Sequence, residues 1–313
     1  MKKAVLVGIN YYSVPSARLN GCINDITNIT NVITKHFNYK SENITKLTDD
    51  NANPAFIPNR ANILSKLTEL VNNSINCEEI WFHYSGHGSQ VRDKSGDESD
   101  KLDEVIVPVD YQTSGFILDD EIYKIIKGSR CKTILVFDSC HSASICDLQW
   151  TFEYTINSQL KKSSLPSKLI PNPNILCYSG CKDSQTAADV YSEVLKQGVG
   201  AFTDAMIYCL TQSNMNIKSL ELHKKICEYI KSQGYTQTPM FSSSTASPYY
   251  AFVSTAKPIS SSSMITPVTN KIATPVNKDI IEKSVKKYIA KTVKKSVSNK
   301  KNMSMFAIMH HYN

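Results

Sequence analysis

At 313 residues, with 41% apolar and 20% charged side chains, the chain is long enough for one large α/β domain or two small ones. No apolar run reaches the roughly 18–20 residues that span a bilayer, and Met1-Lys2-Lys3 before Ala4–Ile9 runs into Asn10-Tyr11-Tyr12 without a small-residue cleavage site, so that stretch reads as a first core strand rather than a signal peptide. The net charge of +7 is uneven: from Lys257 onward eleven lysines face Asp279 and Glu282, a balance of +9, which leaves −2 on residues 1–256 and no charge-based reason for the folded region to bind nucleic acid. Nine cysteines, odd in number and scattered, indicate free thiols in a reducing, cytoplasmic setting, and Cys177 with Cys181 lacks the partners of a zinc site.

Residues 3–9 read as a strand. Ile23, Ile26, Ile29, Val32, Ile33 and Phe37 form a helical stripe within Asn20–Phe37, and Ile63, Leu64, Leu67, Leu70 and Val71 repeat it within Asn59–Ile75. A strand at 79–84 precedes a polar, acidic loop from Ser85 to Lys101. Val105–Val107 is a short strand, and Asp119-Asp120-Glu121 suit a helix N-terminus. The next strand is 132–138. Residues 149–173, with Lys161-Lys162-Ser163-Ser164 and three prolines, read as an exposed linker. The apolar run 174–178 then leads into helices near 200–212 and 218–232, and an extended segment from Tyr249 to Val253 closes the domain. Strands alternating with helices predict a largely parallel sheet covered on both faces.

Beyond Ala256 the composition turns to Ser, Thr, Pro and Lys, and the tail 257–313 reads as largely disordered. Ile281, Val285, Ile289, Val293 and Val297 recur every four residues among lysines. Two readings stay open: an amphipathic basic helix over 279–298 docking on an anionic membrane, nucleic acid or an acidic protein, or a solvated lysine-rich tail.

Two stretches carry chemistry. Tyr84-Ser85-Gly86-His87-Gly88 and Asp138-Ser139-Cys140-His141-Ser142 each end an apolar, β-branched or aromatic run. In open parallel sheets the carboxyl ends of strands carry the reacting groups, so His87 and Cys140 are expected on one rim. A thiol is a nucleophile only when its thiolate is accessible and a partner manages the proton. Cys140 is expected where a strand turns into a helix, with the helix dipole steadying the anion, and His87 is the base. The N–H groups of Gly88 and Cys140 are the candidate oxyanion hole. His83 and His141 compete for the base role, but His83 lies inside its strand and His141 follows the thiol directly. Asp138 shares a strand face with Cys140, where a carboxylate raises a thiol pKa, so its role is sought in binding a substrate cation.

At these residues the chain resembles the metacaspases, caspase-like cysteine peptidases. The likeness covers about residues 3–253 through Ala4–Tyr12, Gly21-Cys22-Ile23-Asn24-Asp25, Leu47-Thr48-Asp49-Asp50, Phe82–Gly88, Asp103-Glu104-Val105, Asp119-Asp120-Glu121, Asp138–Ser142, Ser179–Asp183 and Gly234-Tyr235-Thr236-Gln237. The resemblance implies a caspase-like three-layer α/β/α sandwich with a mostly parallel central sheet. It places the peptidase domain at 1–256, with a large-subunit-like segment over 1–148, the linker 149–173 and a small-subunit-like segment over 174–256. It implies His87 and Cys140 as the dyad, and Asp25, Ser85 and Asp138 as an acidic pocket for an Arg or Lys before the cleaved bond of a protein or peptide substrate. It implies Asp103, Asp119, Asp120 and Asp147 as ligands of an activating calcium, a monomer, and a type I layout without a leader before the first strand. Ala143 and Lys101 stand where metacaspases commonly carry glycines, changes that leave the dyad residues themselves unaltered and bear on loop geometry. Self-cleavage is expected after Lys161, Lys162, Lys168 or Lys257. The competing readings are a catalytically weak interaction module recruited by the basic tail, and a calcium-independent, paracaspase-like Arg peptidase.

Overall fold

The computed structural model describes residues 1–92, 102–142, 144–154, 159–165, 169–181, 189–192 and 197–256. The tail with its stripe at 279–298, Lys101, Ala143, Lys168 and Lys257 lie outside these residues. In chain order, β1 (Lys2–Gly8) leads to α1 (Cys22–His36), β2 (Ile44–Thr48) to α2 (Arg60–Asn73), and β3 (Glu79–Ser85) to a small antiparallel sheet of β4 (Gly88–Arg92), β5 (Leu102–Ile106) and β6 (Ile117–Leu118), with the short α3 (Tyr111–Ser114) before β6. Then come α4 (Asp119–Ile126), β7 (Lys132–Asp138), β8 (Trp150–Tyr154), β9 (Leu160–Ser164) and β10 (Ile175–Ser179). The hairpin β11 (Asp189–Ser192)–β12 (Gln197–Gly200), α5 (Ala201–Gln212), β13 (Ile217–Lys218), α6 (Ser219–Ser232), β14 (Met240–Ser243) and β15 (Ala251–Phe252) complete the described chain.

The local sequence explains the helices. In α1 the buried Ile26, Ile29, Val32 and Ile33 fall on one stripe, and Asn38 leaves the helix with left-handed backbone at φ 59°. The Asn59 side chain caps α2 by accepting the Asn62 N–H at 2.8 Å. Glu121 reaches back to the Leu118 N–H at the start of α4.

Eight strands form the central sheet in the order β2-β1-β3-β7-β10-β14-β8-β9. The first five run parallel, and β14, β8 and β9 add antiparallel neighbours at one edge. Side chains alternate between two cores, as the period of a strand demands. Val5, Val7, Ile80, Phe82, Leu135 and Phe137 pack with α2 and α4 on one face. Ala4, Leu6, Trp81, Ile134 and Val136 pack with α1, α5 and α6 on the other. The result is a three-layer α/β/α sandwich.

One expectation changes. The segment 149–173, read as an exposed linker, instead carries β8 and β9. Phe152 pairs with Phe241 of β14 and is buried against its ring at 5.6 Å, while β9 is exposed along its length. The alternation of Trp150 and Phe152 with Thr151 and Glu153 was masked by the lysines, serines and prolines downstream. The closing extended segment near 249–253 contains β15, which pairs with β13.

Candidate active site

β3 and β7 are parallel neighbours, and their last residues, Ser85 and Asp138, are register partners. Both chains leave the sheet at the same rim, so His87 and Cys140 each stand two residues past that pair. The Gly86 N–H donates to the Asp138 carbonyl at 3.3 Å, and a Cβ on Gly88 would overlap the Cys140 carbonyl. Gly88 is therefore glycine because the two turns touch there.

His87 is 6% exposed and Cys140 is half-buried. The Nε2 of His87 lies 2.7 Å from the Ala17 carbonyl. A carbonyl only accepts, so Nε2 carries the hydrogen and Nδ1 is the basic nitrogen. Burial lowers the His87 pKa to about 4, and the Ala17 bond offsets this only in part. The imidazole is thus neutral near pH 7, with Nδ1 able to accept a proton. Of its competitors, His83 is fully buried, with its pKa lowered by burial to about 3 and Nε2 at 3.3 Å from the Thr203 hydroxyl. His141 is half-buried with left-handed backbone at φ 49°.

One electrostatic expectation fails. Among the described residues no helix lies between Cys140 and β8: the chain bends through Ser139–Ser142 and turns again near Asp147 (φ 46°). The run of small polar residues, with the Ser142 hydroxyl donating to the Ser139 carbonyl at 3.0 Å, favours a bend over a helix. The described turn buries Ile145, Cys146 and Leu148. The turn that follows Cys140 therefore supplies no helix dipole of its own.

Asp25, Ser85 and Asp138 do meet. The Ser85 hydroxyl donates to Asp25 Oδ2 at 2.6 Å. The Gly200 N–H reaches Asp25 Oδ1 and Oδ2 at 2.9 and 3.1 Å, and the Thr203 N–H donates to Asp138 Oδ2 at 2.8 Å. A Cβ on Gly200 would overlap the Asp138 carboxylate and come 2.8 Å from Asp25 Oδ2. Both buried carboxylates thus rest on the first turn of α5, where N–H groups stabilise anions. Gly200, Thr203 and the Ala17 carbonyl were not found from sequence, because each acts through its backbone.

Asp103, Asp119 and Asp147 are buried near one another. Burial, then Asp147 and more weakly Asp103, push the Asp119 carboxyl up to about 8, against hydrogen bonds from the Asp120 and Glu104 N–H groups. Asp120 instead pairs with Lys124 at 3.3 Å on the surface of α4. Hard carboxylate oxygens suit calcium, and buried like charges favour a cation. As placed, however, no three His, Cys, Asp or Glu side chains among the described residues are grouped tightly enough to hold a metal. Lys161 and Lys162 lie exposed on β9, with Lys162 Nζ 4.5 Å from the Trp150 ring centroid.

The family model described as "Metacaspase, peptidase C14 domain" matches residues 2–149. Metacaspase-1 of Cryptococcus neoformans var. neoformans serotype D (strain JEC21) is 34% identical over 291 residues, covering 78% of this chain and 62% of that protein. Metacaspase-1B of Aspergillus oryzae is 33% identical over 290 residues, covering 78% and 68%, and Metacaspase-1 of Ajellomyces capsulatus 32% over 289, covering 78% and 80%. The chain thus spans less than two thirds of the length of the Cryptococcus relative. Among solved structures, protein GSU0716 from Geobacter sulfurreducens shares the fold at TM-score 0.53 and 22% identity, covering 79% of this chain and 95% of that one. Sharing about a third of its aligned residues with these relatives over 78% of its length, the chain belongs to the metacaspases, peptidase family C14.

Proposed function

We propose that this chain is an active endopeptidase that cuts after arginine or lysine, with Cys140 as nucleophile and His87 as base. The observation that carries the reading is the convergence of Asp25 and Asp138 on Gly200, beside the strand ends that bear the pair. Two carboxylates facing one space attract a guanidinium or ammonium and repel an aspartate.

In the reaction, His87 Nδ1 takes the thiol proton as Sγ bonds to the scissile carbonyl carbon. The carbonyl electron pair moves onto oxygen, which the N–H groups of Gly88 and Cys140 are proposed to steady. Collapse breaks the C–N bond, and the leaving amine takes the proton from Nδ1, which leaves a thioester on Cys140. Water then attacks that thioester with His87 again as base, releasing the acid and restoring the thiol.

Calcium stimulation rests on the buried Asp103, Asp119 and Asp147, with Asp120 at their margin. A bound calcium would neutralise these charges, and the residues would tie the loop that follows Cys140 to β5 and α4. A calcium-independent Arg peptidase is the second reading, favoured by the looseness of that acidic group. Self-cleavage after Lys161 or Lys162 requires β9 to peel from β8, because a protease binds extended, unpaired backbone. The lysines on this edge strand also discourage edge-to-edge pairing, which supports a monomer. All nine cysteines are free, which supports a reducing cytoplasm. No helix among the described residues is long and apolar enough to cross a membrane.

The test is a set of fluorogenic peptides that differ only in Arg, Lys, Asp or Leu before the cut, assayed with calcium and with chelator. Arg and Lys peptides are expected to turn over at least ~100-fold faster than Asp. Asp138→Asn should erase that preference. Preferred cleavage after Asp would overturn the pocket, and equal rates in chelator would select the calcium-independent reading.

A further inference from the structure

Two stretches that the cleavage chemistry leaves without a task, Asn10-Tyr11-Tyr12 and Leu47-Thr48-Asp49-Asp50, meet beneath His87. Asp49, just past β2, accepts the Asn10 N–H through Oδ1 at 2.8 Å and the Tyr12 N–H through Oδ2 at 2.9 Å. Between those two N–H groups sits Tyr11, whose φ of 54° is left-handed. A bulky side chain holds that conformation only where its surroundings over-determine it. The clamp from Asp49 is one such determinant.

The strained turn delivers Tyr11 to the base. Its buried ring lies 4.6 Å from the His87 imidazole, tilted by 41°. Its hydroxyl accepts the His87 N–H at 3.0 Å and donates to the Val107 carbonyl at 2.6 Å. Tyr84 closes the other side by donating to the His87 carbonyl at 2.7 Å. A Cβ on Gly86 would come within 2.7 Å of the Tyr84 hydroxyl and 3.1 Å of the Tyr11 hydroxyl, so the His87 turn is fitted to both. The same loop presents the carbonyl that orients the imidazole. The Val14 N–H donates to the Tyr11 carbonyl at 2.9 Å, and the Ala17 N–H to the Val14 carbonyl at 2.8 Å.

We propose that Asp49, acting through Tyr11, is a positioning residue for His87: it locks the left-handed turn that sets the Tyr11 ring and hydroxyl against the base and the Ala17 carbonyl against its Nε2. The inference rests on His87 being the base. Asn at position 49 keeps one carbonyl acceptor but turns an amide N–H₂ toward the second backbone N–H. Phe at position 11 keeps the ring and leaves the His87 N–H without its acceptor.

The experiment measures kcat and KM on an Arg-terminated peptide for wild type, Asp49→Asn, Tyr11→Phe, the double variant and His87→Ala. Each preparation is normalised to active sites titrated with an irreversible peptidyl inhibitor, and thermal midpoints are recorded alongside. Asp49→Asn and Tyr11→Phe should each lower kcat about tenfold with KM within about twofold of wild type. The double variant should be no slower than the slower single, because both act on one chain of contacts. Wild-type kcat per titrated site in Asp49→Asn, a change confined to KM, or additive losses in the double variant would each overturn the proposal, even where the thermal midpoint falls. Turnover surviving in His87→Ala would instead overturn the assignment of the base. Should Asp49→Asn not fold, Tyr11→Phe carries the same kcat-against-KM test.

Discussion

His87 is held between two tyrosine hydroxyls and the Ala17 carbonyl, whereas Cys140, on the neighbouring strand end, opens a turn with left-handed backbone at His141 and Asp147. The base side draws on β1, β2 and β3, all in the parallel region of the sheet, and its polar contacts are short and buried. The Cys140 side runs from a bend past Asp147, which with Asp103 raises the pKa of the buried Asp119 carboxyl, into β8 and the exposed strand β9. The difference teaches where order is built in and where it can be adjusted. His87 is placed by the parallel part of the sheet, and the turn after Cys140 leads past Asp147 toward β8.

The largest effect is expected where the two sides touch. Gly88→Ala puts a methyl group into the Cys140 carbonyl and should lower kcat by about 100-fold or more, because displacements of an ångström at a reacting pair cost that much. Single-turnover acylation measured on folded protein checks it, and a near wild-type rate would mean that the two turns are not in contact.

A smaller effect belongs to the nucleophile side alone. Asp119→Asn removes one of the buried carboxylates and should abolish calcium stimulation, with activity in calcium falling about tenfold and activity in chelator unchanged. A calcium titration of rate and of thermal midpoint reads both. An unaltered titration would take Asp119 out of the acidic group's function.

Acid should weaken the fold through its buried histidines. His83 and His87, near the end of β3, are buried neutral, with pKa values lowered to about 3 and about 4. Both lie below the ordinary 6.5, so between those values the unfolded chain takes up protons that the folded chain refuses. Stability is therefore fully present above about pH 6.5 and is lost as pH falls toward 4, by about 2 kcal/mol per such histidine from pH 7 to pH 5. Urea unfolding at several pH values measures the slope, and His83→Gln should flatten it by that amount. The smallest effect lies at the hairpin. Lys162→Gln loses the contact with the Trp150 ring and should cost about 0.5–1 kcal/mol, seen as faster nicking of β9 by an added protease.

The features of this site that were legible in the sequence are those written in side-chain periodicity. β7 ends at Asp138 as expected because Thr133–Phe137 is a continuous apolar run, and the parallel neighbour β3 was legible for the same reason. Two such strand ends were enough to bring His87 and Cys140 to one rim. The supports of the site were not legible. Ala17, Gly200 and Thr203 work through carbonyl or N–H groups that every residue carries. Gly200 meets Asp25 from the far end of the domain, and no spacing rule spans that distance. The left-handed turn at Tyr11 has no local signature, since tyrosine is a poor residue for it and the reason lies in Asp49. The helix expected after Cys140 shows the opposite error, in which a common strand-to-helix pattern was assumed over serines that favour a bend.

The most direct test is a crystal structure of the protein after reaction with a peptidyl-arginine chloromethyl ketone. The expected adduct is a thioether between the inhibitor and Cys140 Sγ, with the arginine guanidinium hydrogen-bonded to both Asp25 and Asp138 above Gly200 and His87 Nε2 still on the Ala17 carbonyl. An adduct on another cysteine, or a guanidinium directed away from those two carboxylates, would contradict it.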